Sequence, residues 1–206
     1  MKLILPNFGK KEPAPCLFYE DFSNNKANWE ITKNEAETST ITENGYELKN
    51  TDQDRWHHFS VFPKIGNLKN IRIRCLLEVN ELSSLGQIGI IWGFDKTLRR
   101  LNRFCISSSG NGCSIMHFER NHRPVFYRFF DPFFSIEKTR KVFFEIRERD
   151  NYFFFRINKK LVYIGHISHF ADLGEGFGIY LDPGVSATVK KIKITKAILN
   201  RAFSLC

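Results

Sequence analysis

Apolar and polar residues alternate along much of this chain. The clearest run is 71–79, where apolar side chains occupy every second position and charged side chains lie between them: Ile71, Ile73, Cys75, Leu77 and Val79 against Arg72, Arg74 and Glu78. A period of two is that of a β-strand with one buried face. Since no window of eleven or more residues sustains a period of 3.6, the pattern predicts strands rather than helices.

Similar short runs recur along the chain, and turn signals separate them at intervals of roughly 8 to 14 residues, a spacing typical of sandwiches and barrels. The segment 142–164 predicts a three-stranded meander. Further strands are predicted at these runs: 87–94, 102–107, 113–118, 176–181 and 189–194. We therefore predict an all-β, two-sheet antiparallel sandwich over residues 16–196. Residues 1–15 are expected to form an extended arm, and 197–206 a tail with at most one short helix.

Composition supports strands and limits the choice of partners. The chain has 21 Phe, 6 Tyr and 3 Trp, and aromatic residues favour pleated, half-buried surfaces. Its formal charge of +9 raises the chance of an anionic partner. However, Lys and Arg are spread along the sequence without a block of five or six, as in solvated strand faces, so we do not expect nucleic-acid binding.

The cysteines and the N-terminal sequence bear on the compartment. Five cysteines are an odd number, and none forms a C-x-x-C pair: Cys16, Cys75, Cys105, Cys113 and Cys206. Free thiols in a reducing compartment are the simpler interpretation. Only a short apolar run precedes Pro6, and no stretch approaches the ~20 apolar residues of a membrane span. We expect a soluble cytoplasmic protein.

Several short motifs follow one another in a defined order. Tyr19–Phe22 precedes Trp29, the strand 89–94 precedes 103–107, the hairpin 155–162 turns on an Asn, and 176–180 is a Gly-rich strand. In this order they resemble the concanavalin A-like jelly roll of laminin-G-type modules, legume-type lectins and family-16-like glycoside hydrolases, above all its non-catalytic bacterial members. The resemblance spans about residues 18–194. It implies a two-sheet jelly roll that binds ligands on its concave sheet.

Catalytic motifs are not evident. Family-16-like hydrolases carry two carboxylates in the pattern E-x-D-x-x-E, because glycoside hydrolysis needs an acid/base pair beside the scissile bond. Here Glu148 and Asp150 match the first half, but Phe153 stands at the third position and the triplet falls in a predicted turn. We predict a protein without catalytic residues, and keep a divergent glycoside hydrolase using Glu119 and Asp182 as an alternative.

The resemblance assigns six segments to the concave sheet: 56–62, 88–94, 102–107, 113–118, 125–129 and 177–181. If Phe104, Ile106, Phe118 and Ile179 face the core, alternation sends polar residues outward, Ser107 among them. The predicted ligand-binding residues are His58, Arg103, His117, Glu119, Tyr180 and Asp182. Such a surface could hydrogen-bond the hydroxyl groups of a carbohydrate or contact a protein. A merely solvated sheet face remains the alternative.

Two further features have alternatives of their own. The segment Val125–Phe134 is so aromatic that it either fills the core or forms an interaction patch for a protein partner through Phe126, Tyr127, Phe129 and Phe130. No cofactor and no catalytic metal is predicted, since adjacent His57 and His58 would point to opposite faces of a strand. A structural calcium, as in many members of the superfamily, could use Asp21 and Asp182, although an ordinary turn explains Asp182 equally well.

Overall fold

The structure is a computed structural model that describes residues 14–197 with gaps at 54, 56, 62–69, 85, 96, 98–99, 108–111, 120–124, 131–139 and 171–173. For 57, 58, 60, 61 and 125–130 it describes the backbone alone. The strands are β1 Cys16–Glu20, β2 Thr32–Lys33, β3 Glu37–Thr42, β4 Gly45–Asn50, β5 His57–Val61, β6 Ile71–Glu81, β7 Gln87–Asp95, β8 Arg100–Ser107, β9 Gly112–Glu119, β10 Val125–Phe130, β11 Lys141–Arg149, β12 Tyr152–Ile157, β13 Lys160–His166, β14 Gly176–Leu181 and β15 Val185–Lys196. One 3-10 turn spans Ile167–His169.

The strands form two antiparallel sheets, which confirms the predicted fold class. The nine-stranded sheet has the order β13-β12-β11-β6-β15-β4-β3-β2, and β1 pairs with the second half of β15. The six-stranded sheet has the order β10-β9-β8-β7-β14-β5. The predicted meander is β11-β12-β13. Strands β2 and β3 were not predicted, because their Thr- and Ser-containing sequence carries little apolar alternation. Strand β4 was also missed, although Tyr46 and Leu48 alternate with Glu47 and Lys49.

Two tight hairpin turns set the register of the meander. Asp150 and Asn151 have φ of 52° and 64°, and Asn158 and Lys159 have φ of 48° and 71°. Positive φ at both central residues is the geometry of a type I′ turn, whose twist matches that of the strands it joins. The Asn158 carboxamide oxygen also accepts a hydrogen bond from the backbone N–H of Phe143 (2.8 Å), which ties the second turn to β11.

The core between the sheets is built on aromatic rings. Phe155 of the nine-stranded sheet lies 5.5 Å from Trp92 and 5.2 Å from Phe104, both in the six-stranded sheet, measured between ring centroids. Phe170 closes the group at 5.6 Å from Phe155. Tilted and edge-to-face contacts at these distances stabilise beyond the area they bury. The rings therefore hold the two sheets together.

The six-stranded sheet is buried on its outer face as well. Residues that alternate with its core positions form a second cluster: Ile91, Leu101, Cys105, Met116 and Tyr180, with Phe94 and Phe118 packed against them. All five are at most 8% exposed. This part of the outer face is consequently apolar and buried.

No helix in the part of the chain that the structure describes is long and apolar enough to cross a membrane.

Most of the N-terminal arm and most of the C-terminal tail lie outside the described residues, and most of the possible terminal helix does too. The first strand begins at Cys16 and the last ends at Lys196.

Replacing Phe155 with Ala should lower the free energy of unfolding by about 3–5 kcal/mol, because the substitution leaves a cavity among packed rings. Phe154 is a matched control, since it is the neighbouring residue on β12 and faces the opposite way. Phe154→Ala should cost about 1 kcal/mol or less. Denaturant unfolding followed by tryptophan fluorescence measures both, and equal losses would contradict the ring cluster as the main inter-sheet contact.

The buried thiols should resist reagents in the native protein. Burial raises the pKa of Cys105 to about 12 and also raises the pKa of Cys75, so little reactive thiolate forms at pH 8. In a chain carrying C16S, C113S and C206S, we expect Ellman's reagent to react only as the protein unfolds. A chain that keeps exposed Cys16 alone should react at once. Rapid modification of Cys105 would show instead that the outer face of the six-stranded sheet is open.

Candidate functional site

The segments that the resemblance assigned to the concave sheet all lie in the six-stranded sheet. They correspond to β5, β7, β8, β9, β10 and β14. The outer face of this sheet divides into two halves. One half is the apolar cluster described above, the other half carries polar side chains, and Tyr180 belongs to both.

Three predicted residues meet in the polar half. The Arg103 guanidinium lies over the Tyr180 ring, with its carbon 4.3 Å from the ring centroid, a cation–π geometry. The Tyr180 hydroxyl donates a short hydrogen bond to the Asp182 carboxylate. Arg103 is 8% exposed and Tyr180 is 3% exposed. The cluster is thus a fixed group, and Arg103 covers one face of the tyrosine ring.

Burial also fixes the protonation state of Tyr180. Desolvation raises the pKa of its phenol, the hydrogen bond to Asp182 raises it further, and together they outweigh the lowering by the Arg103 cation. The phenol therefore keeps its proton at neutral pH and acts as a hydrogen-bond donor.

Two residues that the sequence did not point to complete the polar half. The Ser114 hydroxyl donates to the Gln87 carboxamide oxygen (3.1 Å), and the backbone N–H of Gln87 donates to Asp182 (2.9 Å). Ser107 pairs with Gln87 in register on β8. Knowledge of the β7–β8–β9 register would have placed Gln87 beside Ser107 and Ser114 beside Cys105, at positions of β8 that alternate in step with Arg103. We use the name polar half for Gln87, Arg103, Ser107, Ser114, Tyr180 and Asp182.

The polar half is partly accessible. Gln87, Ser107 and Asp182 are partly exposed, whereas Arg103, Ser114 and Tyr180 are buried. The accessible atoms include amide, hydroxyl and carboxylate groups, which can both donate and accept hydrogen bonds. The buried Ser114 and Tyr180 hold the Gln87 carboxamide and the Asp182 carboxylate in fixed positions.

His117 and Glu119 lie on the other face of the sheet. They pair with Asn102 and Arg100 of β8. These positions alternate with Arg103 and its partner Met116, which both face outward. The His117 Nδ1 lies 3.0 Å from the Asn102 Oδ1, and Asn102 is fully buried. Placing His117 and Glu119 beside Arg103 was therefore wrong. The error came from assigning Phe118 to the core, whereas it packs in the outer cluster.

The remaining predicted residues are placed by their backbones alone. His58 pairs with Tyr180 across β5 and β14. Phe126, Tyr127, Phe129 and Phe130 belong to β10, the end strand of the six-stranded sheet, and pair with β9. The side chains of these residues lie outside the described part of the structure, so the interaction patch stays a prediction.

Glu119 and Asp182 cannot act together as a catalytic pair. Glu119 pairs with Arg100 at one end of β8, while Asp182 binds Gln87, whose partner Ser107 lies at the other end. A strand rises about 3.3 Å per residue, so roughly 23 Å separate the two ends. Glycosidase carboxylates lie about 5 to 10 Å apart. Glu148 offers no substitute, since it is buried opposite Phe153 in the meander.

Asp21 and Asp182 likewise cannot share one calcium ion. Asp21 follows Glu20, which pairs with Ile192, whereas Asp182 lies just before Val185 at the start of β15. The Asp21 carboxylate accepts hydrogen bonds from the backbone N–H and hydroxyl of Ser23, which lower its pKa. Among the described residues, no three His, Cys, Asp or Glu side chains gather in a metal-binding group. A calcium ion at either aspartate alone stays a prediction.

Comparison with known proteins identifies the fold. The sequence matches no protein-family description and no curated protein. The structure is similar to the carbohydrate binding module CBM66 from Bacillus subtilis, with a TM-score of 0.59, 11% identity and coverage of 83% of this chain and 97% of the other. A Bacillus subtilis protein of unknown function with a galectin-like fold gives a TM-score of 0.63, 12% identity, and coverage of 88% and 96%.

An enzyme has the same architecture. A glycoside hydrolase family 16 endo-glucanase from Bacteroides ovatus matches with a TM-score of 0.60, 10% identity, and coverage of 86% of this chain and 99% of the other. At such identities the similarity concerns architecture, which hosts binding modules and hydrolases alike. The chain has the concanavalin A-like lectin/glucanase jelly-roll fold.

Proposed function

We propose that this chain is a non-catalytic recognition module that binds a carbohydrate through the polar half of its six-stranded sheet. The observation that carries the proposal is the linked group Arg103–Tyr180–Asp182–Gln87–Ser114, held on one sheet face by the contacts given above. Within this group, the buried Tyr180 and Ser114 hold the partly exposed Asp182 and Gln87 in place. Preorganisation of this kind reduces the entropy lost on binding.

The chemistry of the polar half suits sugar hydroxyl groups. Each hydroxyl can donate and accept a hydrogen bond, and the Gln87 carboxamide, the Ser107 hydroxyl and the Asp182 carboxylate together offer both functions. A carbohydrate binding module and a glucanase among the similar structures support this class of ligand. The Tyr180 ring is covered by Arg103, so hydrogen bonding rather than ring stacking is the expected mode of binding at this residue.

The proposal of a non-catalytic role rests on the carboxylates. In the polar half, Asp182 is the carboxylate, and it already accepts hydrogen bonds from the Tyr180 hydroxyl and the Gln87 backbone. A glycosidase requires a second carboxylate within about 10 Å. The described strands of the six-stranded sheet carry two acidic residues, Asp95 and Glu119, and both lie at the Arg100 end, far from Asp182.

Substitution of the exposed polar groups should weaken carbohydrate binding. Glycans retained by the wild-type chain on an array would be titrated calorimetrically against Gln87→Ala and Ser107→Ala. Each substitution removes a side-chain hydrogen bond worth about 1–1.5 kcal/mol, so we expect an affinity loss of roughly tenfold in each variant. His117→Ala is the control, because His117 lies on the opposite face and should leave the affinity unchanged.

Two results would contradict the proposal. If no glycan is retained by the folded wild-type chain, carbohydrate recognition is wrong. If a glycan binds and His117→Ala weakens it while Gln87→Ala and Ser107→Ala do not, the site lies elsewhere in the sheet. Circular dichroism of each variant would establish that the fold is intact.

A further inference from the structure

The outer face of the nine-stranded sheet carries a cluster of cations. Arg74, Glu145 and Arg156 lie side by side on the neighbouring strands β6, β11 and β12. In the next row Arg72 lies opposite Arg147. Together with Phe143 and Lys159 these residues line a groove of about 410 Å³, which we call the arginine groove.

Positive charge in the groove exceeds negative charge. Its lining contains five cationic side chains and one carboxylate, that of Glu145. Glu145 is 4% exposed and is bound by two of the arginines: the Arg72 Nε donates to it at 2.7 Å and an Arg156 nitrogen at 3.3 Å. The carboxylate is thereby engaged by Arg72 and Arg156. Arg74, Arg147 and Lys159 are left without a carboxylate of their own in the groove.

Two guanidinium groups have unused donors. The Nε–H groups of Arg74 and Arg147 are buried, and neither has a hydrogen-bond partner among the described residues. A buried donor without a partner is costly, and like charges directly opposite each other on adjacent strands are destabilising. Burial, and secondly the charge of Arg72, lower the pKa of both Arg74 and Arg147. An anion bound between Arg74 and Arg147 would accept hydrogen bonds from these donors.

We propose that the arginine groove binds an oxyanion of the phosphate class. Guanidinium groups present paired donors that match the oxygens of such an anion, and several arginines around one site are typical of phosphate recognition. Arg74 and Arg147 supply the free donors, and Lys159 adds charge at the rim. Glu145 holds Arg72 and Arg156 in place, as outer-shell carboxylates do for other ligand-binding side chains.

The anion can be free phosphate or a phosphate carried on a lipid. An exposed apolar edge adjoins the groove: Leu161 lies opposite Arg156 on β13, Ile164 lies opposite Phe154, and the two are 43% and 46% exposed. Apolar residues beside a basic cluster are typical of proteins that lie on anionic membrane surfaces. Both sources present the same oxyanion to the groove, so one set of variants tests them.

The test compares Arg74→Gln and Arg147→Gln with Arg55→Gln. Arg55 is an exposed loop residue outside the groove, so its substitution changes the net charge by the same amount. Inorganic phosphate would be titrated by calorimetry at constant ionic strength. In a parallel assay, the same proteins would be sedimented with phosphatidylcholine vesicles with and without phosphatidic acid. We expect each groove variant to weaken binding by at least about tenfold, and Arg55→Gln to bind as the wild type does.

The phosphate titration and the vesicle assay distinguish the two sources of the oxyanion. Binding of inorganic phosphate that depends on Arg74 and Arg147 supports the site with free phosphate as a sufficient ligand. Binding to phosphatidic acid vesicles that depends on the same arginines, and also on Leu161 and Ile164 when they are replaced by Ser, supports the site with a lipid headgroup as its ligand.

Other outcomes would overturn the proposal. Equal weakening by all three arginine variants would show an effect of net charge alone. Binding to neither phosphate nor vesicles would also refute the site. A chain that binds single-stranded RNA but neither phosphate nor vesicles would refute it as well. Because Arg74 and Arg147 repel Arg72, their substitution should not destabilise the fold, and thermal unfolding of each variant would check this.

Discussion

The ring contacts of Phe155 with Trp92 and Phe104 determine how the two sheets face each other. These residues belong to β12, β7 and β8, so they connect the nine-stranded sheet to the centre of the six-stranded sheet. Once they are fixed, alternation decides which face every neighbouring side chain occupies. The core therefore sets the position of both candidate surfaces, although none of its rings belongs to either.

The two outer faces that result have different chemistry. On the six-stranded sheet, polar and apolar halves share one face, and the polar half is neutral apart from Arg103 and Asp182. In the arginine groove of the nine-stranded sheet, cations dominate. A neutral hydrogen-bonding surface suits uncharged hydroxyl groups, whereas a cationic groove suits oxyanions. The fold thus places two surfaces of different chemistry on opposite sides of one core.

Sequence periodicity predicted the strands well where one face is strictly apolar. It identified β6 and the meander β11-β12-β13, and the family resemblance assigned six segments to the correct sheet. Periodicity did not determine which face of β9 points to the core. Ile115 and Phe118 point to opposite faces of this strand, and both are packed: Ile115 lies in the core and Phe118 in the outer cluster. A sheet buried on both faces has no polar face to mark its orientation. That ambiguity put His117 and Glu119 on the wrong side.

Charge spacing along the sequence was a poor guide for a different reason. Arg72 and Glu145 are 73 residues apart in the chain, yet they form an ion pair. Lysines and arginines that are spread through the sequence can converge once strands pair, because register places one residue from each strand side by side. The even spread of cations therefore predicted a solvated face, whereas the pairing of β6, β11 and β12 concentrates them.

The arginine groove contains a pair of like charges that works against folding. Arg72 and Arg147 are directly opposite and repel each other, and the backbone pairing of β6 with β11 keeps them side by side. Strand formation does not need arginine at these positions, since polar uncharged residues would pair at lower cost. Local arrangements that work against stability occur mainly where binding requires them. Glu145 offsets part of the repulsion by binding Arg72 and Arg156, and an oxyanion beside Arg74 and Arg147 would offset the rest.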